Sequence, residues 1–238
     1  GGPLPSSTFK MYNQLGIDFV QGYGLTETSP ILTLNPTYAY KEASVGKVIP
    51  QTEMKILDPD EKDVGEIIVK GPMVMQGYYR NEEATKEIFT EDGWLKTGDV
   101  GFLDEDNYLM LTGRKKSLIV TEGGKNVFPE EIEDEFQLYD EIEQILVLGY
   151  QKNKKTKVEG IRALIFPADA YKEAVVKAHA EAAAAQVMQK RMEEIISEVN
   201  KRLVPYKRIE KVRLVNEAME MTSTKMIKRF VVAEKYKD

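Results

Sequence analysis

Apolar positions along the chain change their period near residue 114. From residue 44 to 113 they fall in short runs, Val45–Ile49, Glu53–Leu57, Glu66–Lys70 and Tyr108–Leu111, separated by Gly, Pro, Asp and Asn. That spacing of strands and turns predicts a small antiparallel sheet or barrel. Before it, residues 4–20 read as a short helix running into a strand through Ile17, Phe19 and Val20, and residues 21–36 read as a Gly/Thr/Ser/Pro loop. After residue 114 the pattern mixes strands with helices. A strand Leu118-Ile119-Val120 leads to a Gly123-Gly124 turn, then to a helix opened by Pro129 with Glu130 and Glu131 in its first turn, the chemistry a positive helix end favours. Strands are predicted near 142–150, 157–166 and 211–215, and a terminal helix near 225–236. Between 170 and 203 a long helix is expected, its stripe Met188, Met192, Ile195, Ile196, Val199, Leu203 at i, i+3, i+4 spacing. The fold class read from this is α/β and α+β. It comprises a small β-rich part over 1–113 and a compact α+β domain over 114–238, joined at the polar run Arg114-Lys115-Lys116.

Composition narrows the chemistry. The chain has 238 residues, 42% hydrophobic and 30% charged, which suits a globular protein. It has no cysteine, which excludes disulfides, thiolate nucleophiles and thiolate metal sites. Its single histidine, His179, sits in an alanine-rich, charged stretch that reads as solvated helix rather than a catalytic cleft. The net charge is −6 with scattered basic residues, so nucleic acid is not an expected partner. No run approaches the ~20 apolar residues of a membrane span, and no secretory signal is visible, so a cytoplasmic location is expected. The chain opens Gly1-Gly2-Pro3, without an initiator Met.

Candidate chemistry lies in four segments. In Gln21-Gly22-Tyr23-Gly24-Leu25-Thr26-Glu27-Thr28, glycines permit close backbone approach, a Tyr can stack on a flat base, a Thr can bond a phosphate and a Glu can hold Mg²⁺. A polar turn with a packed Tyr is the plainer alternative. In Gly93-Trp94-Leu95-Lys96-Thr97-Gly98-Asp99, the carboxylate can accept two bonds from a ribose diol, or serve as a turn residue; Trp94 reads as a core or edge aromatic. Gly113 to Glu133 joins a basic loop, a strand, a double-glycine turn and a helix. Met221-Thr222-Ser223-Thr224-Lys225-Met226-Ile227-Lys228-Arg229 is a hydroxyl-rich turn into a basic helix.

In this order and spacing the segments resemble the adenylate-forming superfamily: acyl-CoA synthetases, firefly luciferase and peptide-synthetase adenylation domains. Within it, Gln21–Thr28 and the Arg114–Val127 stretch look most like bacterial long-chain fatty-acid CoA ligases. The resemblance covers the whole chain. It implies that 1–113 is the C-terminal portion of a large AMP-binding domain and 114–238 a mobile C-terminal domain. It implies ATP (or AMP), Mg²⁺ and coenzyme A as ligands, and a fatty acid as substrate. Tyr23 would stack on adenine beside Gly24, with Gly2 in an adenine-contacting Gly-Gly turn. Thr26 would bind the α-phosphate and Glu27 would hold Mg²⁺. Asp99 would grip the ribose with help from Arg114, Lys116 would be the hinge, and Gly124 would line the pantetheine tunnel.

The chain departs from the family pattern twice. No Gly/Ser/Thr-rich phosphate loop ending in Pro-Lys-Gly is present, so the chain is expected to be a C-terminal fragment whose partner is the N-terminal half, inactive by itself. Counting from Thr224, the adenylating lysine falls on Met226; Lys225 and Lys228 are the alternatives. A degenerate or regulatory adenylate-forming protein, and an adenylating enzyme for another acid, are the rival readings. Long-chain substrates are compatible with peripheral membrane association, although no amphipathic anchor is evident.

Overall fold

The computed structural model describes residues 6–122, 124–152, 158–179, 181–223 and 225–237. They fall into two compact units that divide between Lys116 and Ser117.

The first unit opens with α1 (Ser6–Gln14). Residues 17–20 do not form the expected strand. Ile17 and Val20 are exposed, and Phe19 instead packs edge-on to Phe9 and stacks on Tyr12, with centroids 5.9 and 5.4 Å apart. The segment 21–36, expected as loop, contains β1 (Gly22–Gly24) and β2 (Ile31–Leu34), which join β3 (Lys47–Val48) in an antiparallel sheet. Its Gly, Thr and Ser content hid the strands because the pairing is set by backbone approach rather than by apolar alternation.

A second antiparallel sheet orders β4 (Glu53–Leu57), β5 (Gly65–Lys70), β6 (Leu95–Leu103) and β7 (Leu109–Arg114) as a meander. Leu32, Val45, Ile67, Val69, Leu95 and Leu109 form the core of this unit. The short helix α2 (Glu82–Ile88) connects β5 to β6; its N-cap Asn81 accepts from the Ala84 amide at 3.0 Å. Trp94 is buried, with Lys55 Nζ 4.3 Å from its ring centroid.

The second unit begins with the hairpin β8 (Ile119–Val120) and β9 (Asn126–Val127), followed directly by α3 (Pro129–Glu133). Its sheet is β10 (Ile142–Gln151), β11 (Glu159–Pro167) and β12 (Lys211–Leu214); β10 and β11 run antiparallel, β11 and β12 parallel. The parallel pair needs a crossover, supplied by α4 (Asp169–Ala178) and α5 (Glu181–Arg202). Alternation along β11 explains its near-continuous apolar run. Ile161, Ala163 and Ile165 join one core with Met192, Ile195, Ile196 and Val199 of α5. Leu164 and Phe166 join another with Val232 of α6 (Arg229–Lys235).

Two helix boundaries correct the sequence reading. The helix expected over 170–203 is two helices, because His179 is extended (φ −134°, ψ 153°) and caps α4. His179 is exposed. The terminal helix starts at Arg229 rather than 225, because Met221 bridges Ile227 and the Thr222 amide donates to the Met226 carbonyl, which holds this stretch out of a helix. Among the described residues, no helix is long and apolar enough to cross a membrane.

Candidate functional site

Asp99 lies in β6 directly opposite Arg114 of β7, so the ladder register places a carboxylate beside a guanidinium. Arg114 Nε is 3.1 Å from Asp99 Oδ1. The other carboxylate oxygen, Oδ2, accepts a 2.7 Å hydrogen bond from the Tyr23 hydroxyl. The Asp99 amide donates to Thr97 Oγ1, and Thr97 in turn donates to the Ile67 carbonyl. Asp99 is 6% exposed. Burial pushes its pKa above the ordinary carboxylate value, while Tyr23 and Arg114 pull it back. The Tyr23 phenol is held well above its usual range, first by burial and then by the neighbouring Asp99 charge. Three residues named from the sequence, Tyr23, Asp99 and Arg114, are thus brought together. The Tyr23 ring is half-buried and packs on the Leu32–Leu109 core.

Glu27 and Thr26 lie apart from these contacts, in a 3-10 turn over Thr26–Thr28. Buried Thr28 fixes that turn: its hydroxyl oxygen accepts from the Leu25 amide at 3.0 Å and lies within donating distance of the Leu25 and Pro30 carbonyls. Glu27 Oε1 accepts from the Tyr78 hydroxyl at 2.9 Å, and its backbone carbonyl accepts from the Met75 amide at 2.8 Å. Its other oxygen has no partner among the described residues, so the carboxylate retains capacity for a cation. One carboxylate with water and phosphate oxygens suits Mg²⁺, which rarely takes an all-protein cage. Thr26 is exposed. Gly24 has a steric reason of its own: a Cβ there would stand 1.6 Å from the Pro30 carbonyl oxygen, at the bulge between β1 and β2.

Lys115 is tied to the buried Glu66 of β5 at 2.7 Å. Lys116, the residue read as a hinge, is exposed and is the last residue before the division between the units.

In the second unit, Gly124 sits in the β8–β9 turn at φ +71°, with nothing within 4 Å of where a Cβ would be. Its amide donates to the Thr121 carbonyl at 3.1 Å. Lys225 sits in the 221–227 hairpin, exposed, also left-handed at φ +60°. The Lys225 amide donates to the Thr222 carbonyl and the Thr222 amide to the Met226 carbonyl. Met226 is half-buried. Lys228 pairs with Glu220 at 3.2 Å. Gly2 lies outside the described residues.

Sequence reasoning missed Tyr78, Thr97 as a support for Asp99, and the contacts of Arg229 with Glu133 and Glu130. Tyr78 stands in Gly77-Tyr78-Tyr79-Arg80, and the glycine there, which the structure places at φ +149°, was the available sign of an irregular loop.

Comparisons with known proteins bear on this arrangement. The model of the family described as AMP-binding enzyme matches residues 1–79, and that of the AMP-binding enzyme C-terminal domain matches residues 116–238. The long-chain-fatty-acid–CoA ligase FadD15 of Mycobacterium bovis is 44% identical over 152 residues, 64% of this chain and 24% of that protein. The 2-succinylbenzoate–CoA ligase of Oceanobacillus iheyensis is 36% identical over 232 residues, 96% of this chain and 44% of that protein. The solved structure of O-succinylbenzoate coenzyme A synthetase (MenE) from Bacillus subtilis, in complex with AMP, superposes with a TM-score of 0.76 at 28% identity, covering 100% of this chain and 44% of that one. This chain therefore spans from about a quarter to under half the length of these relatives. Since the C-terminal-domain match alone takes in more than half of the residues, this mixed α/β chain belongs to the AMP-binding, adenylate-forming enzymes, among the acyl-CoA synthetases.

Proposed function

We propose that the chain supplies the adenylate-handling and domain-turning parts of an AMP-forming acid–CoA ligase, and that the acid is a long-chain fatty acid. The observation that carries this reading is the Tyr23–Asp99–Arg114 cluster. An ionised carboxylate has about four acceptor sites, and Asp99 uses one on each oxygen. A ribose diol can take the remaining two, while the Tyr23 ring offers a face to adenine. Thr26 would meet the α-phosphate.

Glu27 would hold Mg²⁺, whose charge offsets the negative charge that develops as a carboxylate attacks the α-phosphate and pyrophosphate leaves. Tyr78, hydrogen-bonded to Glu27, would orient that carboxylate. Coenzyme A would then accept the acyl group, its thiol reaching the adenylate past Gly124 once the C-terminal unit has turned at Lys116. The likeness to FadD15 supports the long-chain acid, and the likeness to 2-succinylbenzoate ligases is the competing indication. A cytoplasmic setting fits ATP and coenzyme A as substrates. The 238 residues alone are proposed to be inactive, since they contain no phosphate loop.

Met226 favours a second reading, a degenerate adenylate-forming protein that binds nucleotide without activating an acid, because a thioether donates no hydrogen bond and carries no charge. Two measurements decide between these. The first is calorimetric titration of the chain with AMP. The second is acid-dependent ATP–pyrophosphate exchange, then thioester formation, by the longer protein of which the chain is proposed to form part, across acids from acetate to long-chain. AMP binding with exchange maximal on long-chain acids supports the ligase reading. AMP binding with no exchange on any acid would favour the degenerate one.

A further inference from the structure

We propose that Arg229 is a positioning residue: clamped by Glu130 and Glu133 of α3, it fixes the Lys225 hairpin and holds it at a set distance from the Gly124 hairpin. Calling these the working hairpins rests on the functional reading above; the clamp itself rests on geometry.

Arg229 directly follows the 221–228 hairpin and opens α6. Its guanidinium makes contacts in three directions. Nη2 donates to Glu133 Oε2, Nη1 donates to the Val147 carbonyl at 3.1 Å, and Nε lies 3.5 Å from Glu130 Oε1. Glu133 closes the loop by accepting the Val147 amide at 2.7 Å. Val147 lies in β10, an edge strand of the β10–β11–β12 sheet. Its outward N–H and C=O would otherwise be open, and the Glu133–Arg229 fork satisfies both, as a neighbouring strand would. A planar guanidinium with five donors can serve three acceptors at once, which an ammonium on a flexible stem does not do with the same geometry.

The other side of the clamp is α3. It follows the Gly124 hairpin without a spacer: β9 ends at Val127, Phe128 is the N-cap, and Pro129 is the first helical residue. Val127, Phe128, Pro129 and Ile132 are buried, so α3 and the Gly124 hairpin are set together in the core. The clamp therefore joins two turns whose sequences lie about a hundred residues apart, each built around a left-handed residue and each presenting that residue to solvent.

Stability of α6 alone does not account for Arg229. A helix start favours acidic side chains, yet α6 has none in its first turn and places Lys228 at its N-cap and Arg229 at its first position instead. The positive charge is tolerated because Glu130 and Glu133 face it, and its placement serves the hairpin it terminates.

The chain has no cysteine, so labels can be placed cleanly. Nitroxides at Glu122→Cys and Ser223→Cys, one beside each turn, give the distance distribution between the hairpins by pulsed electron resonance. Amide exchange of Lys225, Met226 and Lys228 gives the order of the hairpin itself. With Arg229→Met, the distribution should broaden and exchange at those three amides should rise at least tenfold, beyond any change at β11 amides. Glu133→Gln, which keeps shape and an acceptor, should do the same to a smaller degree and covers the case in which Arg229→Met fails to fold. Arg229→Lys should recover part of the order. Lys207→Met, which removes the Lys207–Glu131 pair from the same helix, should leave both readouts unchanged. An unchanged distribution in both Arg229→Met and Glu133→Gln would overturn the proposal, as would equal broadening in Lys207→Met. Both readouts report geometry alone, so they decide the clamp whether or not Lys225 and Gly124 act on substrate; pyrophosphate exchange decides that separately.

Discussion

The Tyr23 hydroxyl donates to Asp99 across 76 residues of sequence, so the ring read as a base-stacking platform and the carboxylate read as a ribose ligand are one hydrogen-bonded pair. The two groups can be separated by substitution. Tyr23→Phe keeps the ring and frees an acceptor site on Asp99, so AMP affinity should stay within about threefold. Tyr23→Ala removes the ring and should weaken AMP about tenfold or more, from the ~1–3 kcal/mol of base–aromatic stacking. Asp99→Asn removes the charge that Arg114 faces and should weaken AMP about 10–100-fold, the value of ~1.5–3 kcal/mol for a bond to a charged group. Calorimetric titration of each variant with AMP checks the order. Equal loss in Tyr23→Phe and Tyr23→Ala would remove stacking from the account.

Gly24 and Gly124, one in each unit, differ in why they are glycine. At Gly24 a Cβ would lie 1.6 Å from the Pro30 carbonyl, and at Gly124 it would meet nothing within 4 Å. Gly24→Ala should therefore break the β1–β2 approach and destabilise its unit by about 3 kcal/mol or more, the upper end of overpacking costs. Gly124→Ala meets only the left-handed backbone penalty of roughly 1–2 kcal/mol. Urea unfolding of the two variants would separate them, and equal destabilisation would contradict the geometry.

What was legible in the sequence follows from how each element is specified. β4 was read at Glu53–Leu57 because its alternation is local. β6 was missed because Lys96, Thr97, Gly98 and Asp99 interrupt its apolar pattern, although Thr97 and Asp99 among them build the cluster with Tyr23 and Arg114. The apolar stripe of α5 was visible, but the break at His179 was not, since nothing in an alanine-rich run marks one extended residue. Tyr23, Asp99 and Arg114 were named one at a time; their meeting depends on the β6–β7 register and on the β1 position, which no local pattern encodes. The same holds for Arg229 and Glu133, 96 residues apart.

Helix α5 is held by its buried stripe, not by its alanine-rich start. Ile195 is 0% exposed, in one core with Val147 and Ile165. Ile195→Ala should cost about 2–5 kcal/mol as a core truncation, whereas Glu193→Ala on the exposed face should stay within about 0.5 kcal/mol. Urea unfolding followed by far-ultraviolet circular dichroism checks this. Similar costs for the two would mean that helix propensity rather than packing holds α5.

Stability of the second unit should depend on pH through Glu133. Burial pushes its carboxyl up to about 7, against the pull of Arg229 and the Val147 amide, from an ordinary value of 4.5. The folded state therefore binds the proton more tightly than the unfolded chain. The contribution is fully present below about pH 4.5, is lost as pH rises to about 7, and is constant above that. The slope is at most about 1.4 kcal/mol per pH unit, the value of one proton. Glu133→Gln carries no titrating group, so the difference in unfolding free energy between parent and variant should change across this window and flatten above it. A parallel pair of pH profiles would show that the Glu133–Arg229 pair stays ionised throughout.

Lys225 gives a case in which stability and activity should move in opposite directions. It is a non-glycine residue at φ +60°, which costs about 1–2 kcal/mol relative to an ordinary backbone. Lys225→Gly relieves that strain but gives the unfolded chain more freedom, worth roughly 0.4–1 kcal/mol, so a net gain of several tenths to about 1 kcal/mol is expected. If the Lys225 ammonium offsets charge during adenylation, the same substitution should lower acid-dependent pyrophosphate exchange by the longer protein about 10²–10³-fold, the usual effect of removing one such group. Adding Met226→Lys to Lys225→Gly places an ammonium at the position where the family resemblance expects it. Recovery of exchange in the double variant would assign the chemistry to position 226 and explain the native protein as one whose lysine stands one residue early. Full exchange in Lys225→Gly alone would remove both positions from the mechanism and leave Lys228, already paired with Glu220, as the remaining lysine of the segment to test.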